Sequence, residues 1–136
     1  MKSIWCLIFL VCACSPSSIE EYQWEGEDIA KEILYRLEKV KSVSDLVKEG
    51  PKLKREYVKL TKVMLAAKSY QAGHPDEELS LEIGAEVSDR LKNEMLRVYQ
   101  LEGCQEVMEG LQRESLHKLD LHQRRSQMRE KTETPR

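Results

Sequence analysis

The chain is poor in the residues that interrupt helices and in those that build sheets. Its 136 residues include 6 Gly and 4 Pro, and aromatic side chains make up 6%. No stretch alternates apolar and polar residues over a useful length, so no strand is expected, and no segment repeats. The scattered glycines form no loop that could cradle a phosphate. An excess of either charge is missing too: 22 Lys and Arg stand against 24 Asp and Glu, a net of −2. A near-neutral total argues against nucleic acid as a partner. Histidine is rare, with 3 in the chain. His117 and His122, five apart, point about 140° away from each other on a helix, a poor spacing for a shared metal. His74 stands apart in a turn. Ser115, His117 and Asp120 have the residue types of a catalytic triad, but helical spacing cannot stack nucleophile, base and acid in line. Neither an enzyme nor a metal or other cofactor is expected.

What remains is the composition of a helical protein: 34% charged residues, with Glu, Lys, Leu and Arg dominant. The fold class is all-α, a small antiparallel bundle of three or four helices over residues 27–122. The first helix is expected over residues 27–41, where Ile29, Ile33, Leu37 and Val40 share a stripe. Ser42 or Ser44 caps a short turn that Gly50 and Pro51 end. Pro51 then opens a second helix to about Tyr70, with Leu53, Tyr57, Leu60, Met64 and Ala67 on its inner face. Gly73, His74 and Pro75 punctuate the chain again. From Asp76 past Leu121 one apolar stripe continues through Val87, Leu91, Met95, Val98, Leu101, Cys104, Met108 and Leu111. As one helix it would be about 70 Å long, so a break is expected at Gly84, Gly103 or Gly110, or near Ser115. Residues 123–136 have no stripe and are expected to be a polar, disordered tail.

Charge is segregated although its sum is small. Residues 48–68 hold seven bases and two acids, whereas residues 76–114 hold eleven acids and four bases. Neighbouring antiparallel helices are therefore expected to complement one another's charge. Glu77, Glu78, Glu82, Glu86 and Asp89 read as a solvated face before they read as a cation site. The basic residues near the C-terminus are few enough, and close enough to acids, to read as a solubilising tail rather than a lipid-binding one.

The start of the chain is different in kind. Lys2 precedes the apolar run "IWCLIFLVCAC", whose length suits a signal-peptide core and is too short to span a bilayer. "SPSS" follows, where helix-breaking residues suit processing. The string Val11-Cys12-Ala13-Cys14 resembles the lipobox of bacterial lipoproteins: an aliphatic residue, a tolerant position, a small residue and the lipid-bearing Cys. Cys12 departs from the small or hydroxyl residues usual at the second position. The resemblance implies a signal peptide over residues 1–13 and diacylglycerol on the thiol of Cys14. It also implies sorting to the outer membrane, since Ser15 stands where a retained protein has Asp. The resemblance covers these residues only. An ordinary signal peptidase cutting after Ala13 is the alternative, and would leave an unlipidated secreted helical protein.

Residues 14–26 then read as a tether, with Tyr22 and Trp24 either at the lipid interface or docked on the domain. With Cys6 and Cys12 removed and Cys14 acylated, Cys104 is the single free thiol, so no disulfide framework is expected. Its place on the apolar stripe makes it a small core residue rather than a nucleophile. The expected role is structural or interaction-based, held to the membrane by the lipid and binding an unidentified envelope or host protein. The competing reading is a small-ligand carrier with a cleft lined by Met64, Met95 and Met108.

Overall fold

Ser18 begins the first helix by accepting the Glu21 backbone N–H on its hydroxyl at 3.3 Å. In the computed structural model, which describes residues 18–77 and 83–133, four helices follow in order. They are α1 (Ile19–Glu38), α2 (Val43–Gly73), α3 (Ala85–Gln100) and α4 (Cys104–Glu133). They pack as an all-α bundle, and no strand occurs among the described residues. Consecutive helices are antiparallel, forming the hairpins α1–α2 and α3–α4. The hairpins dock so that α1 lies along α3 and α2 along α4. Both cross-hairpin pairs run parallel: Glu27 of α1 and Val40 just past its end meet Gly84 and Arg97, while Val43 and Lys54 of α2 meet Gly103 and Glu114. Helices α2 and α3 are therefore diagonal to one another.

Three expected boundaries need correcting. The segment read as a tether is helical from Ile19, because Ile19, Tyr22, Gly26 and Ala30 continue the buried stripe backward at spacings of three and four. Gly26, which looked like a breaker, is a small buried position against Val63 of α2. Of the two aromatics, Tyr22 docks on the domain, 5.7 Å from the Tyr70 ring, whereas Trp24 is exposed. The second correction concerns Gly50-Pro51. Pro51 removes one backbone donor, yet α2 runs through it, because Leu46, Gly50, Leu53 and Tyr57 form one buried stripe across the proline. Third, the tail expected to be disordered is helical as far as Glu133. The long third stretch does break, at Gly84 and Gly103, and Gly110 lies within α4.

The turns show why the chain folds back where it does. Between α1 and α2, the Ser42 hydroxyl accepts from Asp45 N–H at 3.3 Å, and the Asp45 carboxylate accepts from Lys41 N–H at 2.9 Å. This is a close variant of the reciprocal box that satisfies two orphan donors at a helix start. Between α3 and α4, Gly103 takes φ 76°, a left-handed conformation that costs other residues about 1–2 kcal/mol. Gly110, by contrast, is an exposed mid-helix residue with no atom within 4 Å of a built Cβ.

The main core lies near these two turns. Ile33 and Leu37 of α1, Val40 of the following link, Leu46, Leu53 and Tyr57 of α2, Val98 of α3, and Cys104 and Met108 of α4 form one cluster. Toward the other end only Tyr22, Val63 and Ala67 form a small satellite. Ion pairs connect the helices, though only Lys54–Glu114 follows the segregated charge, and it joins parallel helices rather than antiparallel ones. Arg36–Glu49 joins α1 to α2 at 3.1 Å, Arg90–Glu38 joins α3 to α1 at 2.7 Å, and Lys54–Glu114 joins α2 to α4 at 3.6 Å. The two exposed pairs contribute at most about 1 kcal/mol each.

Arg97 of α3 does more. Its guanidinium donates to the carbonyls of Leu37 at 2.8 Å and Val40 at 2.7 Å, and to the Glu94 carboxylate at 2.8 Å. It thereby ties down the C-terminal end of α1, adding to the Val40 N–H that the Leu37 carbonyl accepts at 3.0 Å and giving a partner to the Val40 carbonyl just past the helix. Hydrogen bonds to a charged donor are worth about 1.5–3 kcal/mol each in mutational series. Arg97→Met should therefore lower unfolding stability in urea by about 2–4 kcal/mol, with Arg97→Lys recovering only part, since an ammonium lacks the fork. The two glycines should respond with opposite signs in the same assay. Gly103→Ala should cost about 1–2 kcal/mol, while Gly110→Ala should add about 0.5–1 kcal/mol.

Candidate binding surfaces

Cys14, the one residue with an expected modification, lies outside the described residues, as do Glu78 and Glu82. Cys104 is fully buried as the first residue of α4. Burial pushes its thiol above the usual range, opposed in part by the Arg97 guanidinium. It is a core side chain, with neither the exposure nor the lowered pKa of a nucleophile. Ser115, His117 and Asp120 do not converge: Ser115 is buried, His117 is exposed, and Asp120 pairs with Arg124 at 3.0 Å. His74 stacks on Tyr70 at a centroid distance of 4.1 Å, and its Nδ1 lies 2.9 Å from the Tyr70 carbonyl oxygen. Among the described residues no three His, Cys, Asp or Glu side chains gather to hold a metal. The acidic run is dispersed as well. Glu77 accepts from the Tyr70 hydroxyl at 3.3 Å, whereas Glu86 and Asp89 are exposed on α3.

The three methionines of the carrier reading are not neighbours in a cleft. Met108 is buried in the main core. Met95 lines a hollow on α3 with Leu91, Leu96 and Tyr99. Met64 lies between two other spaces. One is an apolar cavity of 80 Å³ under Tyr22, Leu60, Val63 and Ile83, well below the roughly 300–1,000 Å³ of small-molecule sites. The other is a groove of 630 Å³ between the last turns of α2 and the second half of α4. Met64, Ala72 and Leu119 give this groove apolar patches, and Lys68, His122 and Arg129 make its rim basic.

The groove exists because α4 outruns its packing. After Ser115 no residue of α4 is buried, so residues 116–133 form a helical arm of about 27 Å. Leu116, Leu121 and Met128 stand in solvent on this arm, Met128 with 67% of its surface exposed. Sequence periodicity could not reveal it, since a helix without an apolar stripe reads as disorder.

One polar cluster lies inside the core, where α2, α3 and α4 meet. Tyr99 donates from its hydroxyl to Gln112 Oε1 at 3.0 Å. The Tyr57 hydroxyl is buried beside it without a well-formed hydrogen bond. Burial raises the Tyr57 phenol above its usual value, while the nearby Gln112 amide acts weakly in the other direction.

Compared with protein-family models, curated proteins and solved structures, the chain matches none. Residue roles therefore rest on this chain's own geometry.

The folded chain holds the Tyr57 proton to higher pH than the unfolded chain does. Stability from this group is complete below about pH 10 and is lost as pH rises through the raised folded value. Tyr57→Phe should leave stability at neutral pH unchanged, or up to about 1 kcal/mol higher, because an unsatisfied buried hydroxyl is removed. It should also flatten the alkaline fall in melting temperature, measured by circular dichroism across pH 8 to 11.

Proposed function

We propose that this chain is a lipid-anchored protein of the bacterial cell envelope whose helical domain binds another protein rather than catalysing a reaction. The anchor rests on the apolar run and the lipobox-like Val11-Cys12-Ala13-Cys14. Acylation of Cys14 with two or more chains gives stable attachment where a single chain does not. Ser15 after the modified residue favours the outer membrane. Among the described residues no helix is long and apolar enough to cross a bilayer.

The observation that carries the interaction role is the arm of α4. A solitary helix of this length is marginal in water, and residues 116–133 bury too little for their own packing to explain an ordered helix. A partner helix laid in the groove between α2 and α4 would cover Leu119 and Met64 and meet the basic rim of Lys68 and Arg129. A small-ligand carrier is the second reading. The same groove favours it, being within the size range of ligand sites, although it is open along one side.

Metabolic labelling with a fatty acid tests the anchor. Wild-type protein should take the label and Cys14→Ser should take none; an unlabelled wild type, in cells whose other lipoproteins label, would overturn the proposal. Photo-cross-linkers at Gln123 and Ser126, which line the groove, test the interaction. They should give one discrete adduct in cells, whereas a cross-linker at exposed Lys92 of α3 should not. Equal adduct patterns from both helices would remove α4 as the binding face.

A further inference from the structure

The outer face of α2 carries a basic ridge of which only Lys59 has an ion-pair partner among the described residues. Lys48, Lys52, Arg55, Lys59 and Lys62 recur at spacings of four, three, four and three, and all five are exposed. They lie within about 80° of one another around the helix and extend about 21 Å along it, opposite the buried stripe.

Of the acids on α2, two are engaged away from the ridge and one holds a single member of it. Helix α2 contains three: Asp45 accepts from Lys41 N–H, Glu49 pairs with Arg36 of α1, and Glu56 pairs with Lys59. Lys48, Lys52, Arg55 and Lys62 have no ion pair within 4 Å among the described residues. Lys59 and Lys62 share a hollow with Glu25 and Asp28 of α1, but no ion pair closes it. The other helices have no comparable face. Helix α2 has seven bases to three acids, α1 two to seven, α3 three to three and α4 six to six.

A second observation comes from chain length. Helix α1 is capped at Ser18, and the four-residue step from Cys14 spans at most about 14 Å. If Cys14 bears lipid, as proposed above, the bundle is held against the bilayer and some face must lie on it. Acidic α1 would be repelled by anionic headgroups, whereas juxtamembrane Lys and Arg are drawn to them. We infer that the α2 ridge is the membrane-apposed face, lying along anionic phospholipid headgroups. Helix α3, diagonal to α2, then faces away from the bilayer, and the α2–α4 groove opens at the flank.

The test uses the protein as purified from membranes and reconstituted into vesicles of phosphatidylcholine, with or without phosphatidylglycerol. The mass of the Cys14 peptide is read first. Surface amines are then acylated and quantified peptide by peptide. Acylation of Lys48, Lys52 and Lys62 should fall about fivefold or more on anionic vesicles and return at high salt, while Lys92 and Lys118 stay unchanged. The triple variant K48E/K52E/R55E, altered only at exposed positions, should keep its acyl mass and lose the protection of Lys62. Equal acylation on both vesicle types would overturn the inference, as would equal protection of Lys92. Protection seen in intact cells but not on anionic vesicles would assign the ridge to a protein or polymer instead. A Cys14 peptide without acyl mass would remove the anchor and this orientation together; acyl mass without protection would remove the orientation alone.

Discussion

The C-terminal end of α1 is buried among other helices, and a helix end in that position must find donors for its last carbonyls. Arg97 adds to them from α3, reaching Leu37 and Val40 with two arms of one guanidinium. Because both acceptors are backbone atoms, the contact constrains where α3 lies along α1, not merely how close it comes. The consequences propagate through short connections. Only residues 101–103 separate α3 from α4, so placing α3 also places Cys104 and Met108 in the core. The two hairpins are thus locked together at the end of the bundle where both turns lie.

Packing then declines with distance from that lock. Nine buried side chains, from all four helices and the link after α1, meet near the turns, whereas three form the satellite cluster at the other end. Regions with few buried apolar contacts open at lower free energy than the core. The gradient therefore separates two tasks along one molecule. The end with Arg97 holds the fold, and the end with the start of α1 and the finish of α4 presents grooves and exposed apolar side chains. The second end is where the chain's own packing supplies the fewest contacts.

Electrostatics shows a comparable division that the net charge conceals. A sum of −2 combines an acidic α1 with a basic α2. Arg36–Glu49 between the two helices joins the minority charge of each, so it leaves that opposition in place. With Glu49 on Arg36 and Glu56 on Lys59, the other outer bases of α2, Lys48, Lys52, Arg55 and Lys62, have no ion-pair partner among the described residues. The same few carboxylates thus stabilise the hairpin and leave its outer face positive.

Much of the fold was legible in the chain. The stripes through Ile33, Leu37 and Val40, and through Leu53 and Tyr57, identify core residues because helical periodicity records which side meets apolar neighbours. The stops at Gly84 and Gly103 and the cap at Ser42 were legible for the same local reason. Other features depend on what lies opposite. Gly26 and Pro51 look like breakers in one dimension, but small size against Val63 and a buried stripe through Gly50 let both remain in helices. The helical arm of α4 has no stripe to announce it, and the groove beside it belongs to two helices far apart in sequence. The methionines on shared-looking stripes went to separate places because hairpin docking, not spacing, decides which inner faces meet. By itself the sequence determined the all-α class, most of the core and the expectation of a lipid on Cys14, since these depend on residues within a few turns of each other. Tertiary structure alone decided the parallel docking of the hairpins, the Arg97 contact and the largely unpaired ridge. Those depend on contacts between helices tens of residues apart, whose partners local spacing cannot specify.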